Sequence, residues 1–194
     1  MSDQATACYY QLGAATIEAE TVYTLAPFSW NLSQGLWEAA RDNKANDVTY
    51  LQHLLITALK RAINRTPDFW LAYEVAPSAD HSGKPHLHGS LLIKPSEAKR
   101  ARQVFHQLNG DVSKDFKRHA IIFSSGKRKI RTKKDGALYT NLHWGLYCMK
   151  ERGLVRSHYL LNQKTFAATH GITRAAKSYY DQTRSNQPSQ RNPI

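Results

Sequence analysis

Two neighbouring stretches decide the fold: Phe69-Trp70-Leu71-Ala72-Tyr73-Glu74-Val75 and Lys84-Pro85-His86-Leu87-His88-Gly89-Ser90-Leu91-Leu92-Ile93. Successive side chains of a β-strand point to opposite faces. The first stretch therefore sends Phe69, Leu71, Tyr73 and Val75 to one side and Trp70, Ala72 and Glu74 to the other. In the second, His86 and His88 project together while Leu87, Leu91 and Ile93 turn towards the helices. The connection from Pro77 to Pro85 is rich in turn residues, so the two strands read as a hairpin with a long loop.

Outward from the hairpin, helices and strands alternate. Residues 1–19 carry no clear periodic signal and are set aside as an N-terminal extension. Val22-Tyr23-Thr24-Leu25 reads as a short strand closed by Pro27. From Thr49 the pattern is helical, with Leu51, Leu54, Leu55, Ala58, Leu59, Ala62 and Ile63 on one face. Asn46 or Asp47 serves as its cap, and it stops before Pro67. Pro95-Ser96-Glu97 starts a helix that turns Ala98, Ala101, Phe105 and Leu108 inward and leaves Lys99, Arg100 and Arg102 in water. Residues 119–132 read as a strand, a Ser-Ser-Gly turn and a basic strand. The next helix, from Ala137 to Glu151, carries a core stripe of Leu138, Leu142, Leu146 and Met149. Thr173 to Tyr180 reads as a short further helix, and residues 181–194 as a disordered tail. The expected fold class is α+β, an antiparallel sheet flanked by helices, with residues 20–180 as the domain.

The chain has 194 residues, of which 41% are hydrophobic, enough for a real core. Its 27 Lys and Arg against 15 Asp and Glu leave a formal charge of +12. Such an excess favours a polyanionic partner, because each basic group near a phosphate adds attraction and releases a counterion. The only cysteines, Cys8 and Cys148, make no CxxC pair and exclude a cysteine-built zinc site or a disulfide framework. No secretory signal and no membrane span is legible, so a soluble, cytoplasmic protein is expected.

The chemistry concentrates at two places. Imidazoles at His86 and His88, about 7 Å apart at Cα on one strand face, can converge on a single divalent metal. Glu74, across the hairpin, is the candidate third ligand, with Asp80 and His81 in the loop as looser ones. A mixed nitrogen and oxygen set with open positions suits Mg²⁺ or Mn²⁺ held against a phosphate. Downstream, Tyr139, His143, Tyr147 and Lys150 form a second stripe on the 137–151 helix. A phenol is a poor nucleophile until its charge is stabilised, and Lys150, one turn beyond Tyr147, can do so. Between the two lies a dense basic run, Lys127, Arg128, Lys129, Arg131, Lys133 and Lys134, suited to tracking phosphates. Lys114, Lys117 and Arg118 extend it. Trp70, Tyr73 and Trp144 are candidates either for base stacking or for the core.

In this order the residues resemble the HUH endonucleases, and within them the rolling-circle replication initiators (Rep proteins) of plasmids and phages. Val22-Tyr23-Thr24-Leu25 loosely matches their first motif, His86-Leu87-His88 their second, and Tyr147-Cys148-Met149-Lys150 their third, about 60 residues on. The resemblance covers roughly residues 20–155. It implies a ferredoxin- or RRM-like core, a metal held by His86, His88 and Glu74, and Tyr147 as nucleophile. The reaction implied is site-specific nicking and joining of single-stranded DNA, or of a hairpin origin, through a 5′-phosphotyrosine link. The stretch between Glu74 and His86 is longer than in compact viral members, and Tyr139 leaves a two-tyrosine variant open. No Walker motif is present, so unwinding falls to a separate host helicase or to supercoiling. A single-tyrosine transposase or relaxase shares this chemistry. A non-catalytic RRM-like nucleic-acid-binding domain and a hydrolase of small phosphate esters are the readings from other classes.

Overall fold

The structure, a computed structural model, describes residues 3–43, 47–75, 85–123, 141–150 and 164–185. The chain forms α1 (Asp3–Glu20), β1 (Thr24–Asn31), α2 (Gln34–Arg41), α3 (Asp47–Ile63), β2 (Asp68–Val75) and β3 (Pro85–Ile93). There follow α4 (Ala98–Leu108), α5 (Lys114–His119), β4 (Ile121–Phe123), α6 (Asn141–Tyr147), β5 (Phe166–Ala168) and α7 (His170–Ser185). The strands make one sheet in the order β4-β1-β3-β2-β5, and each neighbouring pair is antiparallel. This is the α+β sheet flanked by helices that the sequence pattern implies.

The period-2 reading of the hairpin holds for the strand side chains that pack in its two cores. Phe69, Leu71, Tyr73, Leu87, Leu91 and Ile93 lie in one core with Leu51, Leu55 and Leu59 of α3 and Val104 and Phe105 of α4. Trp70, Ala72 and Leu92 lie in a second core, on the opposite face, with Ala7 and Ala14 of α1, Trp144 of α6 and Ile172 of α7. Both faces of the sheet are therefore covered. Each large apolar side chain removed from water contributes about 1.5–3 kcal/mol, and Trp30, Trp70, Phe28, Phe69 and Phe105 are among those fully buried. Trp70, Tyr73 and Trp144 are core residues, not exposed stacking platforms. Residues 76–84, expected to form a loop with Asp80 and His81, lie outside the described residues, as does the basic run at 127–134.

Several elements differ from the sequence expectation. The first strand does not stop at Pro27 but runs on to Asn31. A proline is tolerated there because β4 pairs only with Phe28–Trp30, leaving Pro27 beyond the end of that ladder. The short helices α2 and α5 were not anticipated, and Ser33 and Ser113 cap them by accepting from Leu36 N and Phe116 N. The helix expected to reach Glu151 ends at Tyr147. Of its expected core stripe Met149 is buried but Leu146 is 42% exposed, and Trp144 and Cys148 turn inward instead. The last helix is longer than Thr173–Tyr180 and reaches Ser185, into the stretch expected to be a tail.

The largest difference is at the N-terminus, where the supposed extension is an 18-residue helix. Its periodicity is faint because it packs through small residues. A Cβ added at Gly13 would meet Ala176 N of α7 at 2.5 Å, and one at Gly145 of α6 would meet Cys8 Cα at 2.9 Å. Both flanking helices therefore approach the backbone of α1 closely. Polar residues also fasten α1 to the sheet: Glu18 Oε1 accepts from Leu25 N of β1 at 2.7 Å. Gln11 is fully buried, and its Oε1 accepts from Trp70 Nε1 at 2.9 Å and from Ser90 Oγ at 2.8 Å.

At the far end of the hairpin, Arg65 donates to Glu97 through Nε at 3.2 Å and Nη2 at 2.8 Å, and to Leu92 O at 2.8 Å. Its guanidinium also lies over the Tyr23 ring at 4.2 Å. Burial raises the Glu97 carboxyl, but hydrogen bonds from Arg65 and the Lys94 backbone N–H outweigh it and hold the group below its usual range.

Two outcomes follow. Gln11→Leu strips the acceptor from two buried donors and is expected to cost about 2–4 kcal/mol in chemical denaturation; a near-neutral effect would show that α1 is not fastened this way. A carboxyl whose folded pKa is lowered adds stability above its unfolded pKa and loses it as pH falls through the folded value. The melting-temperature gap between wild type and Glu97→Gln should therefore be widest near neutral pH and close below about pH 4. A gap independent of pH contradicts the ion pair.

Candidate metal centre

Three side chains of the hairpin meet on the face covered by α1 and α6. In the β2–β3 register Glu74 lies directly opposite His86, and His88 follows on the same side of β3. Glu74 Oε2 is 2.7 Å from His88 Nε2 and 3.6 Å from His86 Nε2. The two imidazoles stand edge to face, 4.8 Å between centroids. One ligand atom from each of the three residues falls within 4.8 Å of the others, close to the separation of at most about 4.2 Å between two ligands on one Mg²⁺-sized ion.

Helix α6 closes the site from above. Trp144 Nε1 donates to Gly89 O at 3.1 Å, which pins the helix to β3 at the residue after His88. One turn on, the Tyr147 ring stacks on Trp144 at 5.4 Å and lies 5.3 Å from the His88 ring. The chain continues in turns, with Lys150 N donating to Tyr147 O at 3.2 Å. The side chain of Lys150 comes back to the site. Its Nζ is 4.2 Å from the Tyr147 ring centroid and 3.0 Å from Glu74 Oε1.

The charges are ordered by burial. Glu74 is 2% exposed, which by itself raises its pKa, yet the imidazoles of His86 and His88 crowded against it hold the carboxyl far below its usual range. His88, equally buried, is pushed below the usual imidazole range, chiefly by desolvation and further by the charges of His86 and Lys150, against the pull of Glu74. It is thus a neutral ring at neutral pH, the form in which imidazole binds metals. Desolvation lowers Lys150, but Glu74 and Tyr147 overcome it and keep the ammonium charged.

These residues fit a divalent cation. Glu74 Oε2 and His88 Nε2 are both buried, and although 2.7 Å apart they are not aligned as a hydrogen bond to each other or to any other described group. A buried carboxylate oxygen and a neutral imidazole nitrogen left in this way are costly unless an electrophile satisfies both. The remaining nitrogen of His88, Nδ1, is 2.7 Å from Ser29 Oγ on β1, the kind of outer contact that accompanies histidine ligands.

The sequence reading placed Glu74, His86, His88, Tyr147 and Lys150 as candidates, and the structure brings all five together. Tyr139 lies outside the described residues, like Lys127, Arg128, Lys129, Arg131, Lys133 and Lys134. Lys114, Lys117 and Arg118 are exposed on α5, ahead of the edge strand β4, and Lys117 pairs with Asp111 at 3.5 Å. Ser29 was missed. Its one sign in the sequence is a lone hydroxyl among Leu25, Ala26, Pro27, Phe28 and Trp30, in register with a histidine that strand pairing had not yet placed opposite it.

Comparison of the chain with protein-family models, with curated proteins and with solved structures finds no match. Among the described residues no helix is long and apolar enough to cross a membrane. The chain folds as an α+β sandwich with a buried Glu-His-His group that could hold a metal ion.

The two histidines should not contribute equally. His88 is 3% and His86 14% exposed at the side chain. Calorimetric titration with Mn²⁺ is expected to show a single site, weakened about 100-fold or more by His88→Ala or Glu74→Gln and less by His86→Ala. Unchanged binding in His88→Ala would place the ion elsewhere.

Proposed function

We propose that the chain is a metal-dependent endonuclease of the HUH type that nicks and rejoins single-stranded DNA through Tyr147. The observation that carries this reading is the convergence on one spot of a metal-competent triad, a tyrosine and a lysine that touches both. Tyr147 lies against His88, and Lys150 Nζ is 3.0 Å from Glu74 Oε1 and 4.2 Å from the Tyr147 ring centroid. A solely structural tyrosine has no need of a charged lysine shared with a buried carboxylate.

Tyr147 Oη attacks the phosphorus of a backbone phosphate. The new bond is P–O(Tyr), and the bond that breaks is P–O3′. The phenolic proton is lost to solvent, and the departing 3′-oxygen takes one up, leaving a free 3′-hydroxyl and a 5′-phosphotyrosine. The number of phosphodiester bonds is unchanged, so the reverse attack by a 3′-hydroxyl rejoins a strand. Lys150 stabilises the phenolate as its charge develops. Glu74, His86 and His88 would hold Mg²⁺ or Mn²⁺, which when bound draws charge from a phosphate oxygen. The excess of basic residues serves the DNA strand, and the run at 127–134 is assigned to its phosphates. The role fitting this chemistry is initiation of rolling-circle replication or mobilisation of a plasmid, phage or integrated element. It would act in the cytoplasm of a bacterial or phage-infected cell, with a separate host helicase.

Strand transfer by a transposase or relaxase uses the same step. A non-catalytic RRM-like module is less well supported, because such a module reads bases on an exposed sheet face. Here both faces are covered, and Trp70 and Tyr73 are 0% and 2% exposed.

Incubation with a pool of single-stranded oligonucleotides and Mn²⁺ should give a covalent protein–DNA adduct on a denaturing gel. Tyr147→Phe is expected to abolish it, His88→Ala to reduce it to background, and Lys150→Met to slow it about 100-fold. An adduct that persists in Tyr147→Phe removes Tyr147 as nucleophile and moves the assignment to Tyr139. Binding without any adduct, indifferent to His86→Ala and His88→Ala, would sink the nuclease reading.

A further inference from the structure

We propose that Ser29 is a positioning residue of the metal centre, accepting the Nδ1–H of His88 so that the Nε2 lone pair stays available to a divalent cation. The proposal rests on the reading of Glu74, His86 and His88 as a metal site, and is independent of whether that site cuts DNA.

The placement follows from strand geometry. Ser29 is the direct partner of His88 in the β1–β3 ladder. Side chains alternate along a strand. Ala26, Phe28 and Trp30 therefore enter one core while Leu25 enters the other, and Ser29 shares the face of Leu25 and His88. Its Oγ is 2.7 Å from Nδ1. Ser29 is 8% and His88 2% exposed, so water competes poorly for either group.

A neutral imidazole carries one proton, and the partner of one nitrogen decides which nitrogen keeps its lone pair. Were Nε2 to carry the proton, Glu74 Oε2 at 2.7 Å would be its natural acceptor, yet the two are not aligned for it. With the proton on Nδ1, Ser29 Oγ accepts it and Nε2 faces the carboxylate as a second ligand atom. A hydroxyl both accepts and donates, so Ser29 also satisfies the ring in the other tautomer when no ion is bound. A fixed carbonyl in its place could not.

The remaining neighbours restrict the ring without fixing its proton. Tyr147, Trp144 and His86 meet it with their rings at 5.3, 5.7 and 4.8 Å, and the Trp144 N–H is spent on Gly89 O. The β1 residue paired with His86 is Asn31, whose Nδ2 donates to His119 O at 2.6 Å. The two histidines are therefore different ligands: His88 is buried and held from behind, and His86 sits nearer solvent.

The test is a Mn²⁺ titration of the folded protein, with free ion followed by electron paramagnetic resonance. Ser29→Ala is expected to weaken binding about 10- to 100-fold, and Ser29→Thr, which keeps the hydroxyl, to stay within a few-fold of wild type. Far-ultraviolet circular dichroism of each metal-free variant establishes that folded protein is being titrated. A second readout is the His88 Nδ1–H proton in the Mg²⁺-loaded protein. It should appear as a slowly exchanging resonance in wild type and Ser29→Thr and vanish in Ser29→Ala. Wild-type binding that Ser29→Ala leaves within about twofold, while His88→Ala abolishes it, overturns the role of Ser29 alone. Absence of Mn²⁺ binding in wild type overturns the metal reading and this proposal together. Normal metal behaviour without any DNA adduct removes the nuclease and leaves Ser29 in place.

Discussion

Glu74 carries a negative charge at a position only 2% exposed, and much of the molecule follows from what that charge requires. A carboxylate taken out of water costs several kcal/mol unless its oxygens are matched. Lys150 answers one oxygen at 3.0 Å, and the two imidazoles crowd the other. The match depends on register. A slip of one residue between β2 and β3 would send His86 and His88 into the core occupied by Leu87 and Leu91, and bury those leucines' partners on the wrong side. The apolar alternation of the hairpin therefore fixes the polar centre as firmly as it fixes the core.

That dependence explains what could be read from the sequence. The hairpin was legible because its two faces differ in chemistry at every second position, from Phe69 through Val75 and again from His86 through Ile93. Helices α3 and α4 were legible for the same reason at a period of 3.6, through Leu51, Leu55 and Leu59 and through Ala101 and Phe105. The pairing of Glu74 with the histidines needed only that the hairpin close in register.

The unread parts have other physical causes. Helix α1 presents Ala7, Gly13 and Ala14 to its neighbours, and small residues packed backbone to backbone leave little hydrophobic periodicity. Its placement is decided by what approaches it: Ala176 at Gly13, and Gly145 at Cys8. On α6 Leu146 was taken for an inward residue in place of Trp144 because leucines outrank tryptophan in a simple stripe, whereas the indole N–H gains a buried carbonyl, Gly89 O, that no leucine could use. Ser29 was invisible because its meaning lies in β1 lying beside β3, and strand order is a long-range property that local pattern does not carry.

The charge count of the centre gives a final reason to favour a bound cation. Imidazoles bind a metal in their neutral form, so at a loaded site the charges of Glu74 and Lys150 cancel. Yet two buried polar atoms of the site, Glu74 Oε2 and His88 Nε2, still lack a hydrogen bond. An ion pair that sufficed by itself would use both carboxylate oxygens, as Arg65 does with Glu97 at the other end of the hairpin. Here the lysine takes Oε1 alone and leaves Oε2 turned towards the histidines. A divalent ion at that point would satisfy both orphaned atoms and leave the centre at +2, next to Tyr147. An excess of that size in a partly enclosed site is what a phosphodiester can neutralise. The metal reading and the anionic-substrate reading thus draw on the same unsatisfied pair of atoms.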